Sequence, residues 1–183
     1  MDRRRFLQST ATLPVSMAVA AGAVGAVAPD TVNAAARRTS AMSSHFAHVK
    51  GLITDWRRKD AAAVLARVTD DIAWHTHVGS PPVDGKAAMQ KTLDTLATQM
   101  NEVRWRIFAF AQNGDTVFLE GVDDFVNPEG RRVVIPYAGV LVFRGPLIAE
   151  WRDYFDRNLF NKLKAGEAAP DYITALGSRA PLF

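Results

Sequence analysis

AEWRDYFD, residues 149–156, places an acidic residue inside an apolar, aromatic run that predicts the last strand of a sheet. Side chains alternate between the two faces of a strand, so Trp151, Asp153 and Phe155 are predicted to share one face. A carboxylate between two aromatic rings is costly to bury unless it has a partner or a chemical role. Asp153 is therefore the first candidate for catalysis.

Three more β segments precede this strand, at residues 103–111, 116–126 and 131–143. The joints between them are short and rich in Asn, Gly and Pro, which are typical of turns. Successive strands joined by short turns predict an antiparallel meander.

The helices come before this meander. Apolar residues at three- and four-residue steps predict helices at about 44–58 and 86–100, and a short helix at 61–68 begins after Asp60, a residue type that caps helices. A first strand is predicted at 72–77. Because the helices precede the sheet instead of alternating with its strands, we expect an α+β fold. A strongly curved sheet that faces three helices would enclose a pocket.

The amino terminus predicts an export signal. RRRFLQ, residues 3–8, is a twin-arginine pattern, and an apolar run from about 13 to 28 is followed by small residues at 32–36. We interpret residues 1–36 as a cleaved signal peptide. The alternative is a retained membrane anchor, but the run is short and poor in Leu and Ile. We therefore expect a periplasmic or secreted protein with no stable membrane association after cleavage.

We expect three segments after the signal peptide: a flexible lead-in at 37–43, a single domain at 44–164 and a carboxy-terminal tail at 165–183. The domain is predicted to end in a helix at about 157–164. The sequence has no cysteine, which excludes disulfides and thiol chemistry. Its net charge is only +3, and no basic stripe with interleaved aromatic residues occurs, so nucleic acid is not expected as a partner.

The sequence also argues against a bound cofactor or metal. No glycine-rich phosphate loop followed by Lys occurs, and His75 and His77 have only His45 and His48 to join them as metal ligands. We expect no metal and no cofactor. His77 stays open as a base at the edge of the pocket.

Three stretches identify a resemblance: DDIAWHT at 70–76, GVLVF at 139–143 and WRDYFD at 151–156. With the predicted order of helices and strands, residues 44–164 resemble the SnoaL-like, or nuclear-transport-factor-2-like, superfamily. The last stretch is similar to the closing strand of its limonene-1,2-epoxide hydrolase branch. The resemblance implies a cone-shaped, curved and mostly antiparallel sheet, packed against three N-terminal helices that enclose a pocket.

The resemblance also implies roles for particular residues. In that branch, the Asp of the Trp-Arg-Asp run is the base for a water that attacks an epoxide, and a second Asp protonates the opening oxygen. Asp153 matches the base and Asp123 the acid. The branch has an Arg that bridges the two carboxylates, and the corresponding position here is Gly121. Arg104 or Arg106 could substitute for it from a neighbouring strand.

The first strand allows two alignments. Anchored on the Asp pair at 70–71, the branch's water-holding positions fall on Trp74 and Thr76; anchored on Gly85, they fall on His75 and His77. A shift of one residue swaps the two faces of a strand. The steroid-isomerase branch of the same fold would need acidic residues at Thr76 and at about Ala138, so that mechanism is disfavoured.

Two carboxylates in one apolar pocket can hold a shared proton, so Asp123 and Asp153 could serve as acid and base. The alternative is that Asp123 lies with Asp124 at a solvated position of the strand; Glu120 and Asp124 are expected on the opposite face, solvated or at a dimer interface. The remaining predicted pocket residues, which shape the substrate site, are Trp74, Thr76, Tyr137, Trp151, Phe155 and His77.

The function predicted from these observations is a cofactor-independent hydrolase that adds water to a small apolar epoxide. A cyclase, isomerase or dehydratase that acts on a hydrophobic ring is the first alternative. A small-ligand-binding protein without catalytic activity is the second, because this fold is used for both purposes. The expected partner is a small hydrophobic molecule, and a homodimer formed through the sheet is possible by resemblance.

Overall fold

Three N-terminal helices form one layer of the protein. The structure is a computed structural model, and it describes residues 45–183. The predicted signal peptide and lead-in, residues 1–43, lie outside the described residues. No helix within residues 45–183 is long and apolar enough to cross a membrane.

The three predicted N-terminal helices are confirmed, as residues 45–57 (α1), Ala61–Leu65 (α2) and Gly85–Gln99 (α3). The carboxylate of Asp60 caps α2 by accepting a hydrogen bond from the backbone N–H of Ala63, at 3.0 Å. Helix α2 ends three residues earlier than predicted, because Val68 already belongs to the first strand.

Seven strands form one sheet in the order β2-β1-β7-β6-β5-β3, with β4 also paired to β5. Strands β4 to β7 pair antiparallel in succession, which confirms the predicted meander, whereas β1 runs parallel to β7. Helices before a curled, mostly antiparallel sheet make the fold α+β, as predicted. The strands are Val68–His75 (β1), Val83–Asp84 (β2), Glu102–Val103 (β3), Arg106–Asn113 (β4), Thr116–Val126 (β5), Arg132–Arg144 (β6) and Leu147–Phe155 (β7).

The first strand differs from its predicted bounds. It begins at Val68, which pairs with Ile148 of β7, and it ends at His75. Thr76 and His77 therefore follow the strand in a bend. The strand thus includes Asp70 and Asp71, which precede the predicted start at residue 72, and its pairing with β7 is irregular between Val68 and Ala73.

The main core lies between the helices and the inner face of the sheet. It contains Ile53 from α1, Met89 from α3 and Leu141 from β6, each with no exposed surface. A smaller apolar cluster lies under helix α4 (Arg157–Ala165) and includes Phe125, Ile135 and Leu163. The space between these two clusters is where polar side chains enter the interior.

The stretch assigned to the tail carries a further helix, α5 (Asp171–Ser178), which packs against β5 and β6 on the outer face of the sheet. After α5 the chain reaches β4, where Leu182 N–H donates to the carbonyl of Ile107 at 2.6 Å. Ile107 N–H donates in turn to the carbonyl of Phe183, at 3.3 Å. The terminal residues thus cover part of the free edge of β4.

On this outer face, Asp124 is only 1% exposed. Arg132 Nη2 lies 2.7 Å and Arg106 Nη2 lies 3.0 Å from its Oδ2 atom. The expectation of a solvated Asp124 was therefore wrong in this respect, because two guanidinium groups satisfy its buried charge. Glu120, by contrast, is about half exposed and pairs with Arg179.

Candidate active site

Strand β7 presents Asp153 to a cavity of about 190 Å³ between the sheet, α1, α3 and α4. Phe155 lines the same cavity, and the buried ring of Trp151 lies beside Asp153. The predicted face of β7 is therefore confirmed. Tyr154, on the alternate face, is 43% exposed on the outside of the sheet.

Asp123 lines the same cavity, although it belongs to β5 and not to a neighbour of β7. Strand β6 lies between the two and sets the register: Asp123 pairs with Ile135, and Asp153 pairs with Gly139. The two carboxyl groups therefore stand on the inner face with one strand between them. Tyr137, on that strand, occupies the inner position between the two paired residues.

The carboxylate of Asp153 accepts one hydrogen bond at each oxygen. The indole N–H of Trp151 donates to Oδ1 at 2.7 Å, and the indole N–H of Trp74 donates to Oδ2 at 3.3 Å. Gly139 lies directly beside this group: a Cβ atom there would lie 3.7 Å from Oδ1, an ordinary contact distance, and 3.1 Å from the ring of Tyr137. Two neutral donors thus hold the acid in a single orientation.

Gly121 cannot be replaced by a larger residue without moving the sheet. A Cβ atom built at this position would overlap the backbone carbonyl oxygen of Arg106 and lie 3.2 Å from the Cα atom of Ile107. The crowding comes from β4, whose register against β5 shifts between Ile107 and Ala109. No bridging arginine can therefore stand here.

The two arginines that could have substituted for it are directed elsewhere. Arg106 binds Asp124 and the carbonyl of Gly177 on the outer face, and Arg104 pairs with Glu102 at the surface. The acids of the cavity thus have no arginine partner among residues 45–183.

Burial and the nearby carboxylates raise the pKa values of Asp123 and Asp153. Burial, followed by repulsion from Asp124, raises the pKa of Asp123 to about 7. Burial, followed by repulsion from Asp123, raises the pKa of Asp153 to about 8, while hydrogen bonds from Trp151 and Trp74 act in the opposite direction. Near neutral pH the pair therefore retains at least one proton.

Tyr137 is buried between the acids, and its hydroxyl oxygen accepts a hydrogen bond from the indole N–H of Trp105. Burial, and then the charges of Asp123 and Asp153, raise its pKa well above the ordinary value of 10.0. The hydroxyl therefore stays protonated; Tyr137 is not among the residues that line the cavity.

All four tryptophans of the chain meet beside these groups. Trp56 lies between the other three, with ring centroids 5.6 to 5.8 Å away, and Trp105 stacks on Trp151 at 5.7 Å. Sequence reasoning assigned Trp56 to a helix stripe and did not single out Trp105. A count of the tryptophans at positions predicted to face the interior could have indicated both Trp56 and Trp105.

The structure resolves the two alignments of the first strand. Trp74 is buried and Thr76 lines the cavity, while His75 Nδ1 lies 3.4 Å from the carbonyl oxygen of Ser80. His77 is not among the cavity-lining residues; its ring packs edge-on against Phe155 at a centroid distance of 4.9 Å. The placement of His77 in the pocket was wrong, because the strand ends at His75 and the chain then bends away.

The remaining walls come from the helices and from β5, and they are mostly apolar. Sequence reasoning did not assign these residues to the pocket, because helical spacing alone does not separate a core stripe from a cavity wall. They are Thr92, Leu96 and Gln99 of α3, Met100 just after α3, Phe125 of β5, and Phe160 and Lys164 of α4. Within residues 45–183, no three His, Cys, Asp or Glu side chains converge as metal ligands would.

Known proteins share the fold of this chain. The family model of the SnoaL-like domain matches residues 49–151. An LEH-like epoxide hydrolase from M. tuberculosis superimposes with a TM-score of 0.59 at 22% identity, covering 66% of this chain and 89% of the other. The epoxide hydrolase/cyclase-like enzyme SalBIII, which acts in pyran ring formation in the polyether salinomycin, gives 0.59 at 19%, with 64% and 94% covered.

A third similar structure is an NTF2-like protein of unknown function from Burkholderia pseudomallei. Its TM-score is 0.61 at 19% identity, with 66% of this chain and 96% of that chain covered. At these identities the likeness concerns the fold, which hosts several chemistries.

Proposed function

This chain belongs to the SnoaL-like domain family, and from that premise we propose that it is a cofactor-independent hydrolase that adds water to a small apolar epoxide. One observation carries the proposal: Asp123 and Asp153 face one aromatic cavity across a single strand, with pKa values raised into the neutral range. Opening an epoxide by water requires a base and an acid at the same time, and this pair supplies both.

Asp153 is the proposed base. Asp153 has the higher pKa of the two, about 8 against about 7 for Asp123, but the two carboxyls share a proton and titrate as a pair. We place the negative charge of the singly protonated pair on Asp153 from the hydrogen-bond geometry. The reason is that two indole N–H groups donate to its oxygens, whereas Asp123 accepts no side-chain hydrogen bond from residues 45–183. A carboxylate oxygen has a second lone pair, so Asp153 can still accept a proton from water.

Asp123 is the proposed acid. As Asp153 takes a proton from water, the water oxygen bonds to one epoxide carbon and the bond from that carbon to the ring oxygen breaks. The proton of Asp123 then passes to the ring oxygen, which becomes the second hydroxyl of a diol. Asp153 ends protonated and Asp123 ionised, and return of one proton from the first to the second restores the pair.

Tyr137 and the tryptophans support this chemistry without taking part in bond exchange. The Tyr137 side chain belongs to the strand between the two acids, where burial and then the charges of both acids keep it protonated. The indole rings exclude bulk water, which strengthens the electrostatic interactions within the site. A cavity of about 190 Å³ is below the roughly 300 Å³ usual for drug-sized ligands, which favours a small substrate.

The decisive experiment is an epoxide panel in water labelled with oxygen-18. We expect diol that carries one labelled oxygen from the wild-type protein, and a loss of at least about a hundredfold in Asp153→Asn and Asp123→Asn. Glu150→Gln is the matched control, because Glu150 lies on the same strand but is directed to the outer side, where it pairs with Arg152.

The same assay separates the alternatives. A cyclase would open the epoxide with a hydroxyl of its own substrate, and an isomerase would rearrange it, so neither product would contain the label. A binding protein would leave every epoxide unchanged. Absence of labelled diol across the panel would therefore contradict the hydrolase proposal.

We also propose that the protein is exported by the twin-arginine route. The support is the RRRFLQ pattern at residues 3–8 and the small residues that follow the apolar run. Replacing both Arg3 and Arg4 by Lys should retain the chain in the cytoplasm, as measured by cell fractionation. Unchanged export of this double variant would contradict the proposal.

A further inference from the structure

The cavity is lined by one cationic side chain, on a different element from the strands that carry its acids. Three of its lining residues are charged types: Asp123 and Asp153 on the sheet, and Lys164 on α4. All the others are apolar, aromatic or uncharged polar side chains. Positive and negative groups are thus contributed by different elements of the same cavity.

Lys164 is held on a rigid element. Both ends of helix α4 are capped. The carboxylate of Asp156 accepts a hydrogen bond from the N–H of Leu159 at 3.0 Å, and Gly166, just after the helix, adopts the left-handed conformation with φ 93°. Arg131 donates to the backbone carbonyl of Lys164 at 3.2 Å. The backbone at Lys164 is therefore fixed from both ends of the helix and from the β5–β6 turn.

The ammonium group of Lys164 lies over an aromatic wall of the cavity. Its Nζ atom is 5.4 Å from the ring centroid of Phe160, which packs against Phe155 at 5.6 Å. Lys164 is partly buried and forms no ion pair with an acidic residue within residues 45–183. A partly buried cation without an acidic partner is suited to an anion brought by a ligand.

The helix end alone does not explain this placement. Lys162 lies in the same last turn, where a cation favours the helix dipole, but it lines a separate outer pocket with Glu167 and Tyr172. Of the two lysines, only Lys164 lines the cavity that contains the acids. The two residues therefore provide a matched pair that separates an effect on the helix from an effect on the ligand.

We propose that the substrate is an apolar epoxide that carries a carboxylate, with its ring at the Asp123–Asp153 pair and its carboxylate at Lys164. This inference rests on the proposed function and names the substrate class. The charges orient the molecule, because the negative pair repels a carboxylate that Lys164 attracts. The aromatic and aliphatic walls between the two ends accommodate the apolar body of the substrate.

The test compares a charged substrate with a neutral one of similar shape: styrene oxide with a para carboxylate, and its methyl ester. We expect the wild-type protein to prefer the acid, and Lys164→Gln to lose about tenfold in kcat/KM on the acid, the size of one charge-assisted hydrogen bond. On the ester, Lys164→Gln should differ from the wild type by less than about twofold. Lys162→Gln should match the wild type on both substrates.

Two results would overturn the substrate assignment but not the proposed hydrolase activity. One is equal hydrolysis of acid and ester by the wild type, and the other is an equal loss of activity on both substrates in Lys164→Gln. If neither of these two epoxides nor any member of the epoxide panel is hydrolysed, the proposed function fails, and binding decides the role of Lys164 separately. Phenylpropanoate and phenylpropanamide are then titrated while tryptophan fluorescence is followed. Saturable binding of the acid that Lys164→Gln weakens about tenfold supports the anion site, whereas equal binding of acid and amide overturns it.

Discussion

At the scale of single residues, two indole N–H groups do what a cation would otherwise do for a buried carboxylate. Trp151 and Trp74 donate to the two oxygens of Asp153, and Gly121 leaves no space for an arginine nearby. Neutral donors stabilise the ionised form less than a cation does. The acid pair is therefore more basic than one bridged by a guanidinium group would be.

Replacing Trp151 by Phe removes the shorter of these hydrogen bonds but keeps an aromatic ring. The ionised form of Asp153 loses stabilisation, so its pKa should rise further, by about one unit. In the epoxide assay, the acidic limb of the kcat/KM profile should move to higher pH. Trp105→Phe is the control, because Trp105 donates to Tyr137 and not to Asp153. An unmoved acidic limb in Trp151→Phe would show that the hydrogen bond does not set the titration.

The raised pKa values also predict how stability depends on pH. Both acids have folded pKa values, about 7 and about 8, above the ordinary value of 3.8. At pH values between 3.8 and these raised pKa values, the folded chain binds more protons than the unfolded chain. The contribution of the two acids to the free energy of unfolding is therefore complete at acidic pH and is lost as pH rises through 7 and 8.

Asp153→Asn should remove most of this loss. Between about pH 6 and about pH 9, we expect the Tm of the wild type to fall by about 5 °C relative to that of Asp153→Asn, which corresponds to about 2 kcal/mol for a domain of this size. Calorimetry at several pH values measures the difference. Asp70→Asn, at an exposed carboxyl, should follow the wild type. Parallel curves for wild type and Asp153→Asn would contradict the burial of an acid with a raised pKa.

At the scale of elements, the shifted register between β4 and β5 determines which side chains the site can contain. The backbone of β4 approaches Gly121 so closely that a Cβ atom there would overlap the carbonyl oxygen of Arg106. Gly121→Ala should therefore lower the free energy of unfolding by about 2 kcal/mol, because backbone must move to accept the methyl group.

Denaturant unfolding of Gly121→Ala measures this effect, with Gly177→Ala in helix α5 as the control. A Cβ atom at Gly177 meets its nearest neighbours at ordinary distances of 3.9 and 4.0 Å, so this change should be neutral or stabilising. If both variants unfold like the wild type, the close approach of β4 to β5 is not as tight as the structure has it.

At the scale of the whole molecule, the carboxy-terminal segment completes the outer side of the sheet. Ile173 of α5 has no exposed surface, and Arg106, which binds Asp124, also donates to the carbonyl of Gly177 at 2.9 Å. Helix α5 thus covers the charge network behind Asp123. Homodimerisation through the sheet stays a prediction. It would have to use the part of this face that carries the exposed Phe118 and Tyr154, and sedimentation velocity tests it.

The docking of α5 predicts a large difference between two adjacent residues. Ile173→Ala should lower the free energy of unfolding by about 3 kcal/mol, because it leaves a cavity against the sheet. Tyr172→Ala should change it by less than about 0.5 kcal/mol, because Tyr172 is 65% exposed. Urea unfolding followed by circular dichroism measures both, and equal effects would mean that α5 is not docked.

The sequence by itself determined the features that depend on near neighbours in the chain. Alternation along residues 149–156 placed Trp151, Asp153 and Phe155 on one face, and helical spacing located α1 and α3, because both patterns follow from backbone geometry within one element. It also indicated Asp123 as a partner of Asp153, but only by resemblance. It did not find α5, a helix of eight residues whose stability comes from docking on the sheet.

Only the tertiary structure decided which distant groups meet. The register across β6 brings Asp123 into the cavity of Asp153, the parallel pairing of β1 with β7 aims Trp74 at the same carboxylate, and α4 contributes Lys164 to the lining of that cavity. A shift of one residue in any of these pairings would turn the side chains to the other face of the sheet. Local patterns cannot specify such pairings, because they depend on how separate elements pack together.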